Sequence, residues 1–180
     1  ALCSSLVVVA TMGLTREVGG QRAALFAGWF AALSPALSIW AALLYTEALF
    51  VLVFVTALWL LVRMLQGERT SRAAPFVVGA LLGFGALIRA AGLILLVAVA
   101  LGAAIARFTG RPEDARPAET RRARATRACG EGLAILVTGL LVRWPWVVRN
   151  TLVTGELKWA SATGSMNMAL GWSGTRIPFE

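Results

Sequence analysis

The chain reads as an all-α, polytopic transmembrane helix bundle, and three observations carry that reading: its composition, the length of its apolar runs and the spacing of its arginines. Of the 180 residues, 58% are apolar and only 14% charged, and the mean hydropathy is +0.76, well outside the range of soluble globular domains. The net charge is +8, yet Arg is gathered in short stretches between apolar runs. Loop topology accounts for that pattern, and a nucleic-acid partner is not expected.

The elements follow in order. The first apolar run, residues 2–14, falls short of the roughly 20 residues that cross a hydrocarbon core of about 30 Å. It has no basic leader and no small-residue cleavage site behind it, so it is expected to be the remainder of a helix truncated at its N-terminus, a span of about 1–14. A loop with Arg16 and Arg22 leads to a span over about 23–40, and a second, about 45–62, ends at Arg63, Arg69 and Arg72. The runs at about 75–89 and 92–106 are shorter and are divided by Arg89-Ala90-Ala91-Gly92. Their lengths fit two tilted crossings or one broken pair, and the Arg-rich stretch beyond them favours two crossings. That stretch, 107–128, is expected to be a cytoplasmic loop. The final span, about 130–148, completes a helix bundle over 1–150, and residues 151–180 begin a non-cytoplasmic loop or domain.

On this topology the three inner loops hold twelve of the seventeen Lys and Arg, in groups of two, three and seven, as the positive-inside rule requires. The Arg-rich loop touches anionic membrane lipid headgroups or serves as a solvated linker that sets orientation. The inferred location is a plasma membrane, the bacterial inner membrane, crossed several times.

Much ordinary active-site chemistry is excluded. There is no His, which removes the commonest general base and metal ligand. Cys3 and Cys129 lie near opposite faces of the membrane and form neither a disulfide nor a metal site. No phosphate-binding glycine loop occurs, and Gly83 and Gly85 read as helix-packing positions. No cofactor is identifiable, and a divalent metal is left open. What remains are ionisable residues on the outer side, functional by default because charge at membrane depth is costly. Glu47 opens a span, where a carboxylate binds a cation or a substrate hydroxyl, or simply favours the helix dipole. Arg89 stands in an outer turn with no charged residue within ten positions on either side, which points to a bound anion or to snorkelling. Arg143 and Arg149 bracket Trp144-Pro145-Trp146 in an aromatic belt; Pro145 is expected to kink or end the helix and Asn150 to cap or turn the emerging chain.

Three segments carry a family resemblance. The tail Pro145-Trp146-Val147-Val148-Arg149-Asn150, then Gly155 and Ser161-Ala162-Thr163-Gly164-Ser165-Met166-Asn167-Met168-Ala169-Leu170-Gly171, resembles a pattern of polyprenyl-phosphate-sugar-dependent membrane glycosyltransferases. These are GT-C fold enzymes of the family 39 or protein-mannosyltransferase-like type, which include the lipid A aminoarabinose transferases. Ser34-Pro35 followed by Thr46-Glu47 resembles the family's Ser-Pro and Ser/Thr-Glu pair. Residues 83–93 resemble its Gly-Leu-Ala-x-Leu-x-Arg-Pro-x-Gly-Leu segment, with Ala90 where Pro is usual.

The resemblance implies inverting transfer of a sugar from a polyprenyl-phosphate donor to a lipid, glycan or protein acceptor at the non-cytoplasmic face. It implies an outer-loop Asp as base. The one Asp of this chain is Asp114, in the inner basic loop, so the catalytic residue is expected outside this fragment. The expected substrate-binding residues are Glu47, Arg89, Arg149, Asn150 and Asn167, with Arg89 and Arg149 toward the phosphate and Glu47 and Asn167 toward sugar or acceptor. The competing class is a non-catalytic transporter or flippase-type subunit, with outer Arg and Glu lining a substrate path.

Overall fold

The computed structural model describes residues 2–35, 39, 46–66, 71–109 and 120–157. Among them the fold is all-α, with five helices: α1 Leu2–Ala32, α2 Glu47–Gln66, α3 Ala74–Ile88, α4 Ala91–Thr109 and α5 Arg121–Thr154. Local sequence explains the ends. Pro75 stands in the first turn of α3, where its fixed φ and missing N–H cost nothing. Thr120 caps α5 by accepting from the Ala123 N–H at 3.3 Å. Gly155, at φ 72°, closes α5 with its N–H on the Thr151 carbonyl.

α1 is a folded-back pair of arms. Gly20 has φ 78° and ψ −176°, a combination open essentially to Gly alone. Met12 packs against Gly28, so close that a Cβ on Gly28 would stand 2.7 Å from its sulfur. Sixteen residues of straight helix would separate them by about 24 Å, so the chain reverses at Gly20. The loop expected around Arg16 and Arg22 is therefore helical on both sides of a single glycine. A Cβ at position 20 would meet nothing within 4 Å, so Gly20→Ala should cost backbone strain alone, about 1–3 kcal/mol. Thermal melting of the detergent-solubilised protein checks this; an unchanged melting temperature would mean the reversal does not need glycine.

The segments alternate in direction. The first arm of α1 runs with α2, since Gly13 faces Trp59 and Glu17 meets Arg63 and Gln66. α3 runs with α5, Gly79 against Ile135 and Gly83 against Gly139, while α4 opposes α5, with Gly139 against Leu96 and Gly132 against Ala100. Four of the helices are long and apolar enough to cross a membrane, and α3, with 15 residues, is a shorter apolar helix. The protein is a multi-pass membrane protein.

Packing is built on small residues, as expected where lipid offers no hydrophobic gain to helix association. Ala57, Ala100 and Ala103 join Leu61, Met64, Val78, Leu82, Leu96 and Ile135 in one core. Larger side chains such as Phe26, Trp29, Ile94, Leu101, Leu133 and Leu141 point outward. Gly83 is a packing position: a Cβ there would lie 2.7 Å from the Gly139 Cα. Gly85 has looser surroundings, with Phe50 at 3.6 Å.

α5 departs most from expectation. It starts nine residues earlier than the expected span at 130, since Thr120 caps it and Glu131 pairs with Arg127 one turn back. It also runs through Pro145 to Thr154. A proline removes one donor, and a helix whose preceding turns are docked on α3 tolerates that loss.

Candidate functional site

Two polar clusters occupy opposite ends of the bundle. At one end Arg107 Nε donates to Glu131 Oε2 at 2.8 Å, and its Nη1 and Nη2 donate to the Leu65 and Met64 carbonyls at 3.0 and 2.5 Å. Arg127 Nε reaches the other Glu131 oxygen at 3.0 Å. Arg107 thus caps the carbonyl end of α2, where a cation also suits the helix dipole. The arrangement is a structural tie between α2, α4 and α5.

The opposite end brings two of the expected residues together. Glu47, in the first turn of α2, and Arg89, at the end of α3, lie 42 residues apart in sequence. Arg89 Nη1 donates to Glu47 Oε1 at 3.0 Å. Their side chains are 46% and 21% exposed for Arg89 and Glu47 respectively, so the pair contributes little to stability. Each also sits at the helix end that its charge favours. Glu47 Oε2 is buried without a hydrogen-bond partner among the described residues, an acceptor left open. Arg89 takes extended φ and ψ of −139° and 138°, with its N–H on the Gly85 carbonyl, which ends α3 and turns the chain into α4 within two residues.

Beside the pair lies an apolar crevice lined by Phe50, Val53 and Phe54 of α2, Leu81, Leu82 and Gly85 of α3, and Gly92 and Leu95 of α4. Phe50 and Phe54 stack with centroids 6.2 Å apart. α3, with 15 residues, is about 22 Å long, shorter than a hydrocarbon core of about 30 Å.

The remaining expected residues are spread out. Arg149 is exposed on α5 and donates to the Asn150 side-chain oxygen at 3.3 Å. Asn150 lies within α5, and its carbonyl accepts from Thr154 Oγ1 at 2.8 Å, so Gly155 is the cap in its place. Asn167 and Asp114 lie outside the described residues.

Arg143 is the residue that sequence reasoning misjudged. Expected in an aromatic belt at the membrane surface, it is instead 2% exposed, donates through Nη1 to the Ala86 carbonyl of α3 and lies 5.1 Å from the Trp146 ring centroid. The signal was available. Ala128, Gly132, Ile135, Gly139, Arg143 and Val147 are the buried positions of α5, spaced by three or four as one helical face requires.

This helical frame matches a known family. Residues 1–113 match the family model described as dolichyl-phosphate-mannose-protein mannosyltransferase, which covers α1 to α4 with Glu47 and Arg89. The chain belongs to that family. Neither the curated proteins nor the solved structures yield a match. Membership of this mannosyltransferase family makes the protein a membrane glycosyltransferase by class. Arg143, Arg149 and Asn150 of α5 lie beyond the matched segment.

Proposed function

We propose that this mannosyltransferase-family chain contributes the phosphate-facing wall of a site that moves a sugar from a polyprenyl-phosphate donor to an acceptor at the non-cytoplasmic face of the bacterial inner membrane. The observation that carries the reading is the Arg89–Glu47 pair at the end of the bundle remote from the Arg107 cluster. On the positive-inside rule that Arg-rich end faces the cytoplasm, and Glu47, Arg89 and Arg149 then face outward.

In such a transfer the acceptor oxygen bonds to the anomeric carbon as the bond from that carbon to the phosphate oxygen breaks. The departing lipid phosphate takes the electron pair, and fixed cations in a water-poor site stabilise its growing charge. Arg89 suits this task because its guanidinium stays protonated and binds phosphate oxygens in a bidentate way. Glu47 aims the guanidinium through one oxygen and keeps the second for a sugar or acceptor hydroxyl. Arg149, with Asn150 beside it, offers a second contact for the donor phosphate. The acceptor hydroxyl gives its proton to a general base as the new bond forms.

The test is transfer from a radiolabelled polyprenyl-phosphate sugar by the full-length protein in membranes. Arg89→Ala is expected to lower transfer on the order of a hundredfold and to weaken donor binding. Unchanged turnover and donor affinity would remove Arg89 from the phosphate site.

A further inference from the structure

We propose that Arg143 is a positioning residue, one that fixes the Arg89 turn from behind without touching substrate; its consequence for transfer rests on the function proposed above. The last carbonyls of a helix have no donor of their own, and Ala86, two residues from the end of α3, receives one from Arg143 Nη1. On its other side the same backbone is gripped by α4, because a Cβ on Gly92 would stand 2.7 Å from both the Ala86 nitrogen and Cα. The Ala86 peptide is therefore clamped between the guanidinium of α5 and the glycine of α4. Arg89 follows three residues later, and its own N–H is still tied to Gly85. The Arg143 guanidinium carbon also lies 5.1 Å from the Trp146 ring centroid, a cation–π contact that helps to hold it in place. A guanidinium loses solvation on burial, and one of its donors is placed here on the last turn of α3. The placement it secures is the end of α3.

The experiment separates geometry from activity. In full-length protein with Cys3 and Cys129 replaced by Ser, spin labels at Ala91→Cys and Leu152→Cys, both exposed positions, report the distance between the turn and the far end of α5. Arg143→Met is expected to broaden or shift that distance distribution. It should also raise the donor KM about tenfold, a mid-range coupling for packed neighbours, and most of that effect should vanish in an Arg89→Ala background. An unchanged distribution in folded Arg143→Met, or full additivity with Arg89→Ala, overturns the proposal. If Arg143→Met fails to fold, Arg143→Lys, which keeps a donor but loses the planar fork, carries the same two measurements with smaller shifts. A broadened distribution alongside an Arg89→Ala protein that still binds donor normally would support the positioning role and sink the donor-phosphate reading instead.

Discussion

Gly83→Val is expected to weaken the docking of α3 on α5. A Cβ at position 83 would stand 2.7 Å from the Gly139 Cα and 2.9 Å from its carbonyl carbon, and both are backbone atoms that cannot rotate away. Valine adds three carbons to that gap. Overpacking of side chains against side chains costs about 1–3 kcal/mol; against backbone the whole helix must move, so the loss is expected at the top of that range, about 3 kcal/mol. Gly79, on the same face one turn earlier, is set against Ile135 in the same manner, so the helix cannot escape by sliding a turn. The reading is the folded fraction and melting temperature of the full-length protein in detergent. Gly102→Val is the matched control, since its Cβ would meet nothing within 4 Å. Equal melting of the two variants would mean that the α3–α5 contact does not hold the bundle together.

Arg107→Met is the second large effect, expected to cost about 2–3 kcal/mol. Removing one partner of a shielded pair costs about 3–5 kcal/mol, and the lower figure applies because Arg127 still reaches Glu131 at 3.0 Å. Arg107 and Glu131 side chains are 16% and 15% exposed, so little water is at hand to replace the lost partner, and the Met64 and Leu65 carbonyls lose the hydrogen bonds that Arg107 gives them. Restoring a balanced interface should recover stability, because an apolar pair of similar volume often replaces a buried ion pair without loss. Arg107→Met with Glu131→Leu should thus melt above Arg107→Met alone. A double variant that melts lower would refute the ion-pair account. By contrast, the Arg63–Glu17 pair, at 3.6 Å and largely exposed, should be screened by salt and matter little.

Both effects concern positions whose residue types were visible in the sequence but whose partners were not. The glycine at 83 was legible as a packing position because small residues let membrane helices approach. That its partner is Gly139, 56 residues on, depends on which faces of α3 and α5 meet. Arg107 was counted for orientation alone. Its use as a cap on α2 requires α4 to end beside the end of α2, which no local pattern encodes. α5 illustrates the opposite failure: Pro145 and the Trp pair are strong local signals for a helix end, yet the helix continues to Thr154. Packing on α3 outweighs a single missing donor.

Composition, run length and arginine spacing by themselves determined an all-α membrane protein with alternating apolar segments, and short motifs pointed to the glycosyltransferase class of which the family match makes it a member. They also singled out Glu47 and Arg89, though as separate residues with separate explanations. Tertiary structure alone decided that these two are one ion pair, that Gly20 folds α1 back on itself and that Arg143 is buried against Ala86. The physical reason is one of range. Hydropathy and the 3.6-residue period are properties of neighbouring residues, whereas the partner of a charge or an unpaired carbonyl is set by the register in which distant helices pack. Glycine contacts between helix backbones, Gly79 and Gly83 of α3 against α5, fix that register here.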